Sequence, residues 1–314
     1  MNTPFCSLKA KTLITSLAGA SLLALFTGQA SGLNIIGIPG AVGAAATGDT
    51  LTAGVLAPAS GINVVGGSIT YQGTTIPTLS QAATYTGFTL APSSGNSPTL
   101  TLPDGIFLTS GNANIPFTNT SNSFSASTQS GPNAQLGALS ASAGNTSSTF
   151  DANVLSFQFT VAPGQTSVDA KFVFGTEEFP TQSVTDIFGF FVDGVNFAKF
   201  ANGQLISNTP GNPTNFILNP VGGGLYPIEF NGLTEAFNVV GILDPNLTTH
   251  TVTIGIADTS DTIFESGVFI GALKTGTDTG GGGINPGVPD SGTTIAMLGA
   301  ALAGIAGFRR KFGV

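Results

Sequence analysis

Apolar and polar positions along the middle of this chain alternate with a period of two rather than 3.6. Leu155, Phe157, Phe159 and Val161 are separated by Ser156, Gln158 and Thr160, which predicts a strand with one face in a core. Residues 171–175, 187–192, 195–200, 251–257 and 267–273 give further strands. Asp193-Gly194 lies between two of these runs, and both residues readily adopt the positive φ angles of a type I′ turn. A hairpin is therefore expected, with Val192 opposite Val195. Shorter β-type runs at 68–71, 88–90, 99–102 and 105–109 are punctuated by turn residues. Residues 31–58 are rich in Gly and Ala without a clear period, and 112–149 read as a long loop region with a little local structure. No stretch carries a convincing helical period apart from two apolar segments near the ends. Many short strands without βαβ alternation predict an all-β fold, an antiparallel β-sandwich (jelly-roll-like) over residues 60–274, with a barrel as the less favoured alternative. Phe172, Phe174, Phe188, Phe190 and Phe191 are expected mostly in its core.

The two end segments change the picture from a plain domain to an exported one. Lys9 and Lys11 precede an apolar stretch from residue 13 to 26, followed by the small-x-small triplet Gly28-Gln29-Ala30. That is the layout of a secretory signal peptide cut after Ala30, a substrate for signal peptidase and the export machinery. Cys6 is the one cysteine and lies before the apolar stretch, so the mature chain has none and uses no disulfides.

Charge narrows the partners. Between the apolar end segments lie three basic residues, Lys171, Lys199 and Lys274, against sixteen acidic ones, a net charge of −13. Nucleic acid, which needs the opposite sign, is excluded as a partner. A hydrophobic fraction of 41% with 24 Phe is too apolar for a solvated coil, so the body is a folded domain with weakly charged loops.

At the C-terminus, Val288-Pro289-Asp290-Ser291-Gly292 is followed by 16 apolar or small residues (293–308) and then by Arg309, Arg310 and Lys311. A helix of that length spans about 24 Å, slightly short of a ~30 Å hydrocarbon core. The basic cluster would hold the C-terminus in the cytoplasm by the positive-inside bias. The order of motif, apolar run and basic stop resembles the PEP-CTERM class of sorting signals, in the variant whose motif reads VPDSG. The resemblance implies an exosortase as partner, cutting at the motif and passing the protein from its membrane anchor to the cell surface or extracellular space. A permanent tail anchor is the plain alternative. The Gly-rich stretch 275–287 would act as a flexible linker. The expected plan is a signal peptide (1–30), a Gly/Ala-rich segment (31–59), the β-sandwich (60–274), the linker (275–287), and the motif with its transmembrane sorting helix and basic tail (288–314).

Four segments of the body carry a second resemblance. They are Gly105-Ile106-Phe107-Leu108-Thr109-Ser110-Gly111; Phe150-Asp151-Ala152-Asn153-Val154-Leu155; Phe172-Val173-Phe174-Gly175-Thr176-Glu177-Glu178-Phe179-Pro180 with Asp186-Ile187-Phe188-Gly189-Phe190-Phe191; and Ile256-Ala257-Asp258-Thr259-Ser260-Asp261 with Ser266-Gly267-Val268-Phe269-Ile270. Together they resemble the choice-of-anchor L domain of bacterial surface proteins. That family more often has Ser at the place of Thr176 and Tyr at that of Phe179. The resemblance implies an extracellular β domain and supplies no activity.

The acids are the remaining candidate chemistry. Glu177, Glu178 and Asp186 form one group, which Asp151 could join, and Asp258, Asp261 and Glu265 form another. With almost no Lys or Arg to neutralise them, they are candidate calcium ligands, since Ca²⁺ takes six to eight oxygens. The bland alternative is turn acids, solvated or capping backbone N–H groups. Glu177 and Glu178 are adjacent, so on an extended strand they point to opposite faces. A zinc enzyme is excluded by a single exported His and no Cys. His250 shares parity with Val252, Ile254 and Ile256, which reads as a partly buried structural residue rather than a catalytic base. The expectation is a non-catalytic cell-surface or extracellular-matrix protein. The alternative is a secreted carbohydrate-binding or carbohydrate-active protein that uses the acidic clusters, with extracellular polysaccharide as its partner, although no Trp and only three Tyr make a poor sugar platform.

Overall fold

A computed structural model describes residues 32–286 except 145–147, 183–185, 208–212 and 223. The signal peptide, the VPDSG motif, the apolar run and the basic tail lie outside the described residues. No helix among the described residues is long and apolar enough to cross a membrane.

In chain order the strands are β1 (Asn34–Pro39), β2 (Ile62–Val64), β3 (Thr70–Gln72), β4 (Ser80–Thr86), β5 (Thr89–Leu90), β6 (Leu100–Thr101), β7 (Gly105–Thr109) and β8 (Thr149–Val161). There follow β9 (Ser167–Thr176), β10 (Ile187–Val192), β11 (Val195–Asn196), β12 (Ile217–Leu218), β13 (Gly232–Leu233), β14 (Phe237–Ile242), β15 (His250–Thr259), β16 (Ser266–Gly276) and β17 (Gly283–Pro286). Two helices interrupt them, α1 (Ala44–Val55) and α2 (Ala134–Ser142).

The strands form two main sheets. One runs β1-β4-β7-β16-β9-β13-β12, with β14 also on β9 and β17 on β14; the other runs β11-β10-β15-β8-β2, with β3 also on β8. The paired strands of both are antiparallel throughout, as expected of a sandwich. Inner faces meet in one apolar core, with Ile106, Leu108, Phe172, Phe174, Val268 and Ile270 from the first sheet against Leu155, Phe157, Phe159, Phe188, Phe190 and Ile254 from the second. Fully burying each of the Phe side chains is worth about 1.5–3 kcal/mol. The hairpin register is as expected: Val192 pairs with Val195, and Asp193 (φ 51°) and Gly194 (φ 84°) supply the turn.

The sheets are buried on their outer faces too. Phe107, Val173 and Phe269 of the first sheet point away from the central core, into a second cluster with Phe88, Leu90, Tyr226 and Phe230. On the other sheet, Val154, Ile187, Phe191 and Ala257 are covered by Leu136 of α2. This explains why β7, β9 and β10 read as continuous apolar runs rather than clean alternations.

Three features depart from the sequence reading. First, the Gly/Ala-rich segment contains a helix. α1 buries Thr47, Gly48, Leu51, Thr52 and Val55, a helical stripe in which only Leu51 and Val55 are large and apolar, so its period is muted. Gly48 is required by contact, because a Cβ there would stand 2.9 Å from Ile69 Cγ2. Second, the long loop region contains α2, started by Asn133, whose side chain accepts from the N–H groups of Gln135 and Leu136. Third, residues 275–287 are not wholly a free coil. β16 continues to Gly276, and β17 pairs with β14 so that Val239 faces Ile284. Ile284 is buried in the central core. An edge strand such as β14 leaves a row of backbone N–H and C=O groups open to pairing, and a Gly-rich segment bearing one Ile can fill it.

Candidate functional site

The candidate acids gather where β7, β8, β9, β15 and β16 end together. β10 and β15 pair Ile187 with Ala257; one step further along that register, Asp186 comes opposite Asp258. β8 and β15 pair Ile256 with Asn153 and then Asp258 with Phe150, with a register shift between. The extra residues of β8 form a bulge that includes Asp151, at φ 46°. β16 and β9 pair Ser266 with Thr176, setting Glu265 beside Glu177, whose N–H donates to the Glu265 carbonyl at 2.9 Å. The four segments singled out in the sequence thus converge on one seam.

Burial along this seam is nearly complete. Glu177, Glu178, Asp186, Asp258 and Glu265 are each 2% exposed or less. Glu177 and Glu178 lie just past the end of β9 rather than on it, and they have different neighbours, Glu229 and Glu265 for Glu177 and Asp186 for Glu178. Glu177 Oε2 accepts from Asn231 Nδ2 at 3.0 Å, and Glu178 Oε2 accepts from the Asp186 N–H at 3.0 Å. Asp186 Oδ1 accepts from the Thr259 N–H at 3.4 Å, while Glu265 Oε2 accepts from the Asn112 N–H at 3.0 Å. Each carboxylate keeps one oxygen without a hydrogen-bond partner: Glu177 Oε1, Glu178 Oε1, Asp186 Oδ2, Asp258 Oδ1 and Glu265 Oε1. Leaving such atoms buried and unpaired is costly.

Asp261 does not join them. It is half-exposed on the loop after β15, where its Oδ1 accepts from the Ile263 N–H at 3.1 Å. The six sequence candidates therefore do not form one ligand set, and among the described residues no three Asp, Glu, His or Cys side chains converge to hold a metal ion. They divide into Glu178, Asp186 and Asp258 on one side, and Glu177 and Glu265 on the other, with Asp261 at the rim.

Electrostatics follow from burial without counter-charge. The ion pairs found among the described residues, His250–Asp193 at 2.8 Å and Lys274–Asp169 at 3.7 Å, lie elsewhere. Burial is the main cause raising the Glu177 carboxyl to about 9, with Glu229 and Glu265 adding repulsion. It likewise raises Glu265 to about 8. Glu178, Asp186 and Asp258 are also pushed well above the carboxylate range, burial first, and the Asp186–Asp258 repulsion raises Asp258 further. Asp151 is raised by burial against the hydroxyl of Thr128, which donates to its Oδ1 at 2.9 Å.

Sequence reasoning passed over the neutral partners and one acid. The Ser266 hydroxyl flanks Asp186 and that of Ser110 flanks Asp258. Ser266 Oγ also donates to Thr176 Oγ1 at 2.9 Å. Gly111 makes room for Glu265: a Cβ at that position would collide with Glu265 Cδ. Glu229 is fully buried, and accepts from the N–H groups of Thr120 and Ser121. Nothing local in the sequence marks Glu229, because its partners lie over a hundred positions away. Ser110, Gly111 and Ser266 lie inside the singled-out segments, which was the available signal.

His250 is 4% exposed, and Asp193, which its Nδ1 meets, also accepts from the N–H groups of Thr251 and Asp244. The trio ties the hairpin turn to the start of β15.

The fold is thus a two-sheet β module whose acidic seam is shut off from solvent. The chain belongs to the choice-of-anchor L domain family, whose model matches residues 46–274. Residues 287–312 match the VPDSG-CTERM motif. No curated protein and no solved structure matches the chain. The two family matches make this an exported protein of the cell surface that carries a C-terminal sorting signal.

Proposed function

We propose that this chain is a non-catalytic building module of the cell surface or extracellular matrix, exported by its N-terminal signal peptide and released from its membrane anchor by an exosortase that cuts at Val288-Pro289-Asp290-Ser291-Gly292. The observation that carries this reading is the close succession of a choice-of-anchor L match ending at 274 and a sorting-motif match starting at 287. The carbohydrate-active alternative finds little support. A glycosidase needs two carboxyls about 5–10 Å apart across an open cleft, and here the clustered acids are buried. A groove of about 650 Å³ does lie at the other end of β15, lined by Val161, Ile242, Leu243, Leu247 and His250, but Asp244 is its one carboxylate.

Mass spectrometry of surface-extracted protein tests the proposal directly. The expected mature form starts near Ser31 and lacks residues 309–314, and replacing Pro289 and Asp290 together abolishes the truncation. An intact C-terminus on most of the protein would replace release with permanent anchoring.

A further inference from the structure

The acidic seam has an unmet electrostatic demand. Asp186 and Asp258 lie opposite each other at the mouths of β10 and β15, and both are buried. When both are ionised they are acceptors only, so the Oδ2 of Asp186 and the Oδ1 of Asp258 can then be satisfied only by a cation, the alternative being a proton shared between the two side chains. Glu178 turns toward the same pair and keeps Oε1 free. Lys171 lies on β9, Lys274 on β16 and Lys199 just after β11, and the one found paired with a carboxylate, Lys274, engages Asp169. Two buried carboxyls facing each other with no basic side chain paired to them leave room in the charge balance for a cation in place of the shared proton.

We propose that the Asp186–Asp258 pair is a calcium site, with Glu178 as the neighbouring third carboxylate and the hydroxyls of Ser110 and Ser266 as neutral oxygens. Zinc is disfavoured, since it prefers Cys and His ligands and the pocket presents neither. Calcium accepts six to eight oxygens of mixed kind in irregular geometry, whereas magnesium demands an octahedron and retains its waters. Two convergent carboxylates rather than three are what the pocket offers, and neutral oxygens make up the rest of a calcium shell. The ion would join the ends of β7, β9, β10, β15 and β16 at one end of the sandwich. The site would act as a clasp that closes only outside the cell, where calcium is abundant enough for the roughly 0.1–1 mM affinities of extracellular modules. This inference is independent of exosortase processing, and either can fail without the other.

The purified full chain, stripped with a chelator, is melted with and without calcium, and calcium binding is measured by calorimetric titration. A ligand that binds only the native state raises Tm, here by roughly 5–10 °C at about a hundred times Kd. Asp186→Asn and Asp258→Asn are each expected to abolish the shift, Asp261→Asn to retain it, and magnesium to move Tm far less. Should the buried variants fail to fold in chelator, the titration of the unaltered chain decides. No heat of binding at millimolar calcium, or a shift that survives both Asp→Asn changes, overturns the site. An equal response to magnesium overturns its assignment to calcium.

Discussion

Among single residues, Glu265 shows how strongly position governs chemistry. Its carboxyl is pressed onto the α-carbon of Gly111, capped by the Asn112 N–H and raised by burial to about 8. An unfolded glutamate titrates near 4.3, so the folded state holds the proton more tightly. A raised carboxyl pKa gives stability that is complete below the unfolded value and lost as pH rises through the folded one. With calcium chelated, urea midpoints are therefore expected to fall between about pH 4.5 and pH 8, and Glu265→Gln should flatten that fall. A variant with the same pH slope as the parent would show that Glu265 titrates normally. The same residue exposes the limit of the sequence reading: the sequence groups it with Asp258 and Asp261, whereas the structure sets it beside Glu177 and under a glycine 154 positions earlier.

For whole elements, helices were the weak point of the sequence and strands its strength. β8 alternates as written, and the Asp193-Gly194 turn pairs the residues that its chemistry dictates, because strand period and turn geometry are local properties. α1 and α2 escaped because their buried stripes are built from Thr, Gly and Ser with one or two Leu or Val. Small residues fit helices close against sheets yet leave hardly any periodic apolar signal. The start of α2 was nonetheless readable in principle, since Asn is a strong N-cap. Asn133 caps two N–H groups and donates to Gln72 Oε1 at 2.9 Å. Asn133→Ala should cost about 0.5–2 kcal/mol, the usual loss for an N-cap, with the Asn133→Asp variant recovering most of it. Chemical denaturation of the three proteins checks both numbers.

At the level of the whole molecule, what matters is how the sandwich meets its sorting signal. β17 ends at Pro286, and the motif starts two residues later at Val288. A tether designed to be free would not place Ile284 in the core. Ile284→Asn puts a polar group in that apolar niche and removes its packing, so β17 should detach from β14. Limited proteolysis is expected to cut severalfold faster between 277 and 286, while Tm drops by only a few degrees because the two main sheets remain intact. Unchanged cleavage there would mean that β17 contributes little to holding the tail.

The sequence by itself determined the features that depend on near neighbours or on order along the chain: the period of the strands, the hairpin turn, the lack of basic counter-charge and the succession of β domain and sorting motif. Only the tertiary structure decided which acids meet. Glu178, Asp186 and Asp258 come from three strand ends and Asp261, three residues beyond Asp258, stays at the rim. Register between strands fixes that choice, since Asp186 faces Asp258 only because Ile187 pairs with Ala257. Pairing of segments about seventy residues apart is set by the packing of their apolar faces across the core, and no local pattern in either segment encodes it.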